Sequence, residues 1–194
     1  MKLTILACLA LASQGLCLAT PLAGRNFVIP SWEVEVTPGG EKAVLDGTVQ
    51  EVHAQLLQLN PRWNEDFDFQ PSAPPTSANL NKRTLFDGSM RHDCFGDDRQ
   101  AVIGRIEQGM AYLRGIKARP STNTGPRWCS RVSCSYKSGI TWCNDDPNGK
   151  TLESFGSIAD GAESLIRRCS HQYTVAGQVF HPTNWNVIVD RQDC

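Results

Sequence analysis

The sequence predicts an α+β domain, a small two-layer sandwich in which an antiparallel sheet carries two helices on one face and three disulfides staple the whole. Three observations predict it. Cys94, Cys129, Cys134, Cys143, Cys169 and Cys194 form an even set in the last part of the chain. Two segments there repeat apolar residues at helical spacing, and two pairs of β-rich runs alternate around turn residues. Helices stacked on one side of a sheet let every amphipathic element bury one face.

The chain opens as an export signal does. Lys2 is followed by the apolar run "LTILACLALA", and Cys17-Leu18-Ala19 places small residues where a signal peptidase reads, so a cut after Ala19 is expected. Ser13, Gln14 and Gly15 interrupt the run short of the roughly 20 apolar residues a membrane anchor needs. The expectation is a secreted, extracellular protein with no stable membrane anchor. Cys8 and Cys17 leave with the signal, and the oxidising compartment lets the remaining six cysteines pair.

Residues 20–83 read as a pro-segment. "SWEVEVTPGG" alternates Trp32, Val34 and Val36 against Glu33 and Glu35 and ends in a turn, which predicts one strand. "GTVQEVHAQLLQLNP" predicts an amphipathic helix, with Thr48 and Glu51 in capping-box spacing and Val49, Val52, Leu56 and Leu57 along one face. One strand and one helix cannot bury both their apolar faces alone, so the segment must lean on the domain that follows. Then "FQPSAPPTSANLNKR" reads as an extended Pro-rich linker ending at Lys82-Arg83. Charge changes at the same point: residues 20–83 hold five Lys/Arg and eight Asp/Glu, residues 84–194 thirteen and twelve. Neither part has the concentrated basic stripe of a nucleic-acid binder. The pair resembles a kexin-type processing site of the fungal secretory pathway, and a cut there would release a mature six-cysteine domain, residues 84–194. A second pair, Arg167-Arg168, falls inside a predicted helix, which should protect it.

Within 84–194, a first helix is expected from about Asp98 to Ile116, with Val102, Ile106, Met110 and Leu113 on its buried face and Asp97 or Asp98 as N-cap. Gly104, Gly109 and Gly115 weaken it unless it packs very closely. "RVSCSYKSGITWCND" reads as a hairpin. A three-residue loop at Lys137-Ser138-Gly139 is preferred over a two-residue turn at Ser138-Gly139, because it gathers Val132, Cys134, Tyr136, Ile140 and Trp142 on one face. In that register Cys134 and Cys143 do not bond to each other. A second helix opens at Ser157 and buries Ile158, Ala162, Leu165, Ile166 and Cys169. Two closing strands flank Pro182-Thr183-Asn184, with Trp185, Val187 and Val189 alternating against Asn186 and Ile188. An extra strand is expected near Leu85 to Met90. The disulfide connectivity stays open.

For chemistry the residues offer little. His92, His171 and His181 lack metal-ligand spacing, and no nucleophile elbow, phosphate-binding loop or dinucleotide fingerprint occurs. Glu107, His171, His181 and Arg127 supply the residue types of a ribonuclease-like site, but supply is not arrangement. "NDDPNGK" lacks the oxygen spacing of a calcium loop and reads as a solvated turn. No catalytic residue, metal or cofactor is therefore expected, and the protein reads as a non-enzyme. The candidate recognition patch is Trp128, preceded by the loop "RPSTNTGPR" and flanked by Arg127 and Arg131; Trp and Arg dominate binding hot spots. The alternative is that Trp128, with Trp142 and Trp185, fills a thin core.

With "CSRVSCSYKSGITWCND", "SIADGAESLIRRC" and "GQVFHPTNWNVIVDRQDC" set behind a signal, a pro-segment and Lys82-Arg83, the chain resembles the small cysteine-rich secreted proteins of filamentous fungi, many of them candidate effectors. Its layout is also similar to killer-toxin-type α/β sandwiches, although their cysteine number and spacing are not matched. The resemblance implies an effector or elicitor that binds a host or competitor protein or cell-surface component after kexin-type cleavage. A killer-toxin-like antimicrobial and a small secreted hydrolase are the alternatives.

Overall fold

Thr48 and Glu51 do what their spacing predicts: the Glu51 carboxylate accepts both the Thr48 amide, at 2.7 Å, and the Thr48 hydroxyl, at 2.8 Å, and a helix follows at once. The computed structural model describes residues 24–70, 86, 88–122 and 125–194. The expected signal with its cut after Ala19, most of the Pro-rich linker and the Lys82-Arg83 pair lie outside these residues.

The N-terminal part contributes β1 (Asn26–Phe27), β2 (Ser31–Glu35), β3 (Lys42–Asp46), α1 (Val49–Leu59) and α2 (Trp63–Asp66). The rest of the chain contributes β4 (His92–Cys94), β5 (Ala101–Val102), α3 (Ile103–Gly115), β6 (Ser121–Thr122), β7 (Trp128–Ser135), β8 (Ser138–Asn144) and β9 (Lys150–Thr151). α4 (Phe155–Cys169), β10 (Ser170–His171), β11 (Thr174–Val175), β12 (Gly177–His181) and β13 (Trp185–Arg191) complete it.

The main sheet has the order β1-β7-β8-β13-β12-β4; its pairs are antiparallel except β1 with β7, which is parallel. α3 and α4 lie on one face of it. Gly109 of α3 touches Ser133 and Ile140, and Gly161 of α4 touches Val187, each so closely that a Cβ would come within 2.6 Å of a side-chain atom. Those glycines let helix backbone approach strand side chains, which is the close packing the glycine-rich helix required. Arg114 on α3 ties the two helices together through Asp160, at 2.8 Å, and Glu163 of α4, in a setting where its own side chain is largely buried. This is the α+β sandwich with three disulfides.

Four details depart from the expectation. Asp97–Arg99 form a single 3-10 turn and α3 begins only at Ile103, because Ala101 and Val102 are drawn into extended pairing with Val175 and Thr174. Val102 is consequently exposed, not on the buried helix face, and neither Asp97 nor Asp98 is the N-cap. Likewise α4 starts at Phe155 behind Ser154, earlier than Ser157. The extra strand is His92–Cys94 paired to β12; Phe86 and residues 88–90 form none.

The hairpin turns at Tyr136-Lys137, both in the left-handed region at φ 47° and 59°, and the register is Cys134 opposite Gly139 and Cys129 opposite Cys143. A bulge between Arg131 and Ser133 explains why regular alternation misjudged the faces. Val132, Ser133, Ile140 and Trp142 face the helices, whereas Cys134 joins Cys129, Thr141 and Cys143 on the other side. The bonds are Cys94–Cys169, Cys129–Cys143 and Cys134–Cys194, so Cys134 and Cys143 are indeed not partners.

The N-terminal residues do lean on the rest, and through more elements than one strand and one helix. β2 and β3 form a hairpin that seats Trp32 on Phe155 of α4, with ring centroids 3.5 Å apart and planes 10° from parallel. Val49, Val52 and Leu56 of α1 are fully buried in the same hydrophobic cluster as Ile106, Leu113, Ile140 and Val187. No helix among the described residues is long and apolar enough to cross a membrane.

Candidate binding cleft

Two stretches far apart in sequence meet beside the outer edge of β7. After β1 the chain runs through Val28, Ile29 and Pro30, and the turn into α1 brings Asp46, Thr48, Glu51 and Gln55 alongside. The facing wall is Asp98, Arg99, Arg131 and the run Asp190–Asp193. Between them opens a cleft of ≈ 1080 Å³. Its rim is apolar on the β1 side, where Phe27 is 50% and Ile29 74% exposed.

Charge in the cleft is unbalanced. Five carboxylates and three guanidinium groups line it, and one of each is consumed by the Arg99–Asp190 pair, in which the Arg99 guanidinium also lies over the Phe95 ring. Arg131 donates to the Asp193 carbonyl. Hydrogen bonds from the Thr48 amide and hydroxyl hold the Glu51 carboxyl below the usual carboxylate range, with a small further contribution from Arg131. The cleft lining thus carries two more carboxylates than guanidinium groups.

Backbone groups are on offer as well. The Asn26 and Val28 amides both donate to β7, to Arg127 and Cys129 carbonyls at 2.9 Å, so in this parallel ladder the peptide groups of Phe27 point to the opposite, outer side. An exposed strand edge of this kind is a template for another extended chain.

Of the sequence-derived patch, Arg131 lines this cleft. Trp128 is half-buried, and its register with Asn144 and Trp185 puts it on the helix side of the sheet, opposite to Arg131, which pairs with Thr141. Arg127 is exposed at the head of β7 with φ 67° and lies against Gly24. The six cysteines are all bonded, as described above. Ala19, Lys82 and Arg83 are outside the described residues. What sequence reasoning missed is β1, Asn26–Phe27, at the start of the apolar run "FVI" that Pro30 closes.

No family model, no curated protein and no solved structure matches this chain.

The ribonuclease-type residues do not converge. His171 sits in the three-stranded sheet with β5 and β11, His181 at the far end of β12, and Glu107 on the exposed side of α3. No group of three His, Cys, Asp or Glu suited to a metal occurs among the described residues. In "NDDPNGK", Asp145 pairs with Arg25 at 2.7 Å and accepts from Asn186, while Asp146 accepts the Asn148 amide at 3.1 Å and pairs with Lys150. Those bonds, the Asn148 amide foremost, hold the Asp146 carboxyl below its ordinary range. The loop is a self-satisfied turn.

His181 stacks on Trp185, with centroids 4.7 Å apart, and its Nδ1 accepts the Thr183 amide at 3.2 Å. Burial, then the charge of Lys150, pushes its pKa below the ordinary 6.5. The unfolded chain therefore takes up this proton first, and stability falls as pH drops through 6.5, levelling off below the folded-state pKa. His181→Asn should flatten that segment of the stability–pH curve, read from urea midpoints between about pH 7 and 5. An unchanged slope would show that His181 is not its source.

Proposed function

We propose that this chain is an exported, disulfide-stapled effector-like protein that acts by binding, and that its cleft takes an extended, basic segment of a host or competitor protein. The observation that carries the reading is the outward-facing edge of β1, flanked by exposed Phe27 and Ile29, beside an acidic cleft. A partner strand laid along that edge gains main-chain hydrogen bonds. Alternate side chains would reach Phe27 and Ile29, and Lys or Arg would meet the surplus carboxylates. The signal-like start, the kexin-like pair and the resemblance to cysteine-rich secreted fungal proteins support the extracellular setting.

Selection of random peptides on oxidised 20–194 protein tests this. The expected winners alternate apolar residues and carry Lys or Arg. Phe27→Ser with Ile29→Ser should weaken their binding by at least about tenfold, equivalent to 1.4 kcal/mol, without moving the unfolding midpoint, since both side chains are exposed. Infiltration of the same two proteins into leaves gives the biological arm. Failure to enrich any peptide, together with no leaf response, would remove the proposal.

A further inference from the structure

The dibasic pair lies between two stretches that are covalently joined only by the chain itself. All three disulfides are contained within residues 94–194. Everything else about the contact is that of a domain interior. Trp32 has no exposed surface and is stacked on Phe155. Phe69 lies so close over Gly115 of α3 that a Cβ there would fall 2.3 Å from its ring, so the helix surface is shaped to receive it.

The outer edge of β7 is covered twice by N-terminal residues. β1 pairs with its first two residues. Further along, Gln50 of α1 donates to the Ser133 hydroxyl at 2.8 Å and accepts the Cys134 amide at 3.3 Å, taking the place of a missing neighbour strand. Without residues 24–70, the sheet would show a bare edge and α3 and α4 a bare apolar face.

We infer that a chain cut at Lys82-Arg83 does not part: residues 20–83 stay docked on 84–194 as a non-covalent two-chain particle, and that particle carries the cleft. One cleft wall, Phe27 to Gln55, belongs to the first piece, and Arg99, Arg131 and Asp190–Asp193 belong to the second. Loss of the first piece would dismantle the site. The biological weight of this rests on the function proposed above; the docking does not.

The test uses the oxidised full chain, cut in solution by a dibasic-specific protease or at a viral-protease sequence inserted after Arg83. Size exclusion and native mass spectrometry at micromolar concentration are expected to return a single particle containing both pieces. A denaturing gel without reductant should then separate them into two bands. Elution of a free N-terminal piece overturns the inference, whether the remainder stays folded or precipitates. Intact mass of the naturally secreted product is the separate arm: an uncut product would remove the maturation step from the function without touching the docking result.

Discussion

Reduction of the three disulfides is expected to unfold the protein at room temperature. The bonds close loops of 75, 14 and 60 residues. In the chain-entropy account these contribute about 4.5, 3 and 4.3 kcal/mol, together near 12, which is as large as the whole net stability of an ordinary domain, about 5 to 15 kcal/mol. The order follows too: the Cys94→Ala/Cys169→Ala variant should lose most and Cys129→Ala/Cys143→Ala least. The latter bond joins residues that the β7–β8 ladder already places opposite each other. Near-ultraviolet circular dichroism with and without reductant checks this. A cooperative melt persisting in protein shown to have six free thiols would contradict it.

Trp32→Ala is expected to cost about 3 to 5 kcal/mol, the range for emptying a fully buried aromatic site. Besides the ring on Phe155, the change removes the indole N–H that donates to the Gly47 carbonyl at 2.8 Å, the hydrogen bond that holds the turn before α1. Trp32→Phe keeps an aromatic ring and should cost mainly that hydrogen bond, about 1 kcal/mol, plus some packing. Urea unfolding of the oxidised chain reads both. Because Trp32 and Phe155 lie on opposite sides of the Lys82-Arg83 pair, a single transition with unchanged slope also tests whether the two parts unfold as one unit. A loss under 1 kcal/mol would mean that the hairpin is only loosely seated.

Local patterns were legible and non-local pairings were not. The helix behind Thr48 and Glu51, the buried stripe leading to Cys169 and the alternating Trp185, Val187 and Val189 all follow from residues a few positions apart, and all are present. β3 escaped notice because "KAVLD" places Val44 on the exposed face, so its apolar residues do not mark one side. Ala101 and Val102 carry helical periodicity yet are extended, since a distant partner, β11, claims their backbone. The cleft was beyond sequence reasoning for the same reason. Ile29, Glu51, Arg99, Arg131 and Arg191 are ordinary residues individually, and only the parallel β1–β7 pairing and the burial of α1 bring them around one space. That Trp128 and Arg131 diverge, by contrast, could have been read from their odd spacing along a strand.

The irregular residue in β7 has an evolutionary corollary. In an even ribbon, Cys129 and Cys134 would look in opposite directions, five positions apart, and could not both serve the same side. Here they do, one bonding a neighbouring strand and the other the chain end. Length and covalent wiring in this stretch are thus a single trait: losing one residue between the two half-cystines would swing Cys134 inward and strand Cys194, so descendants must keep the insertion and both sulfurs, or surrender them together.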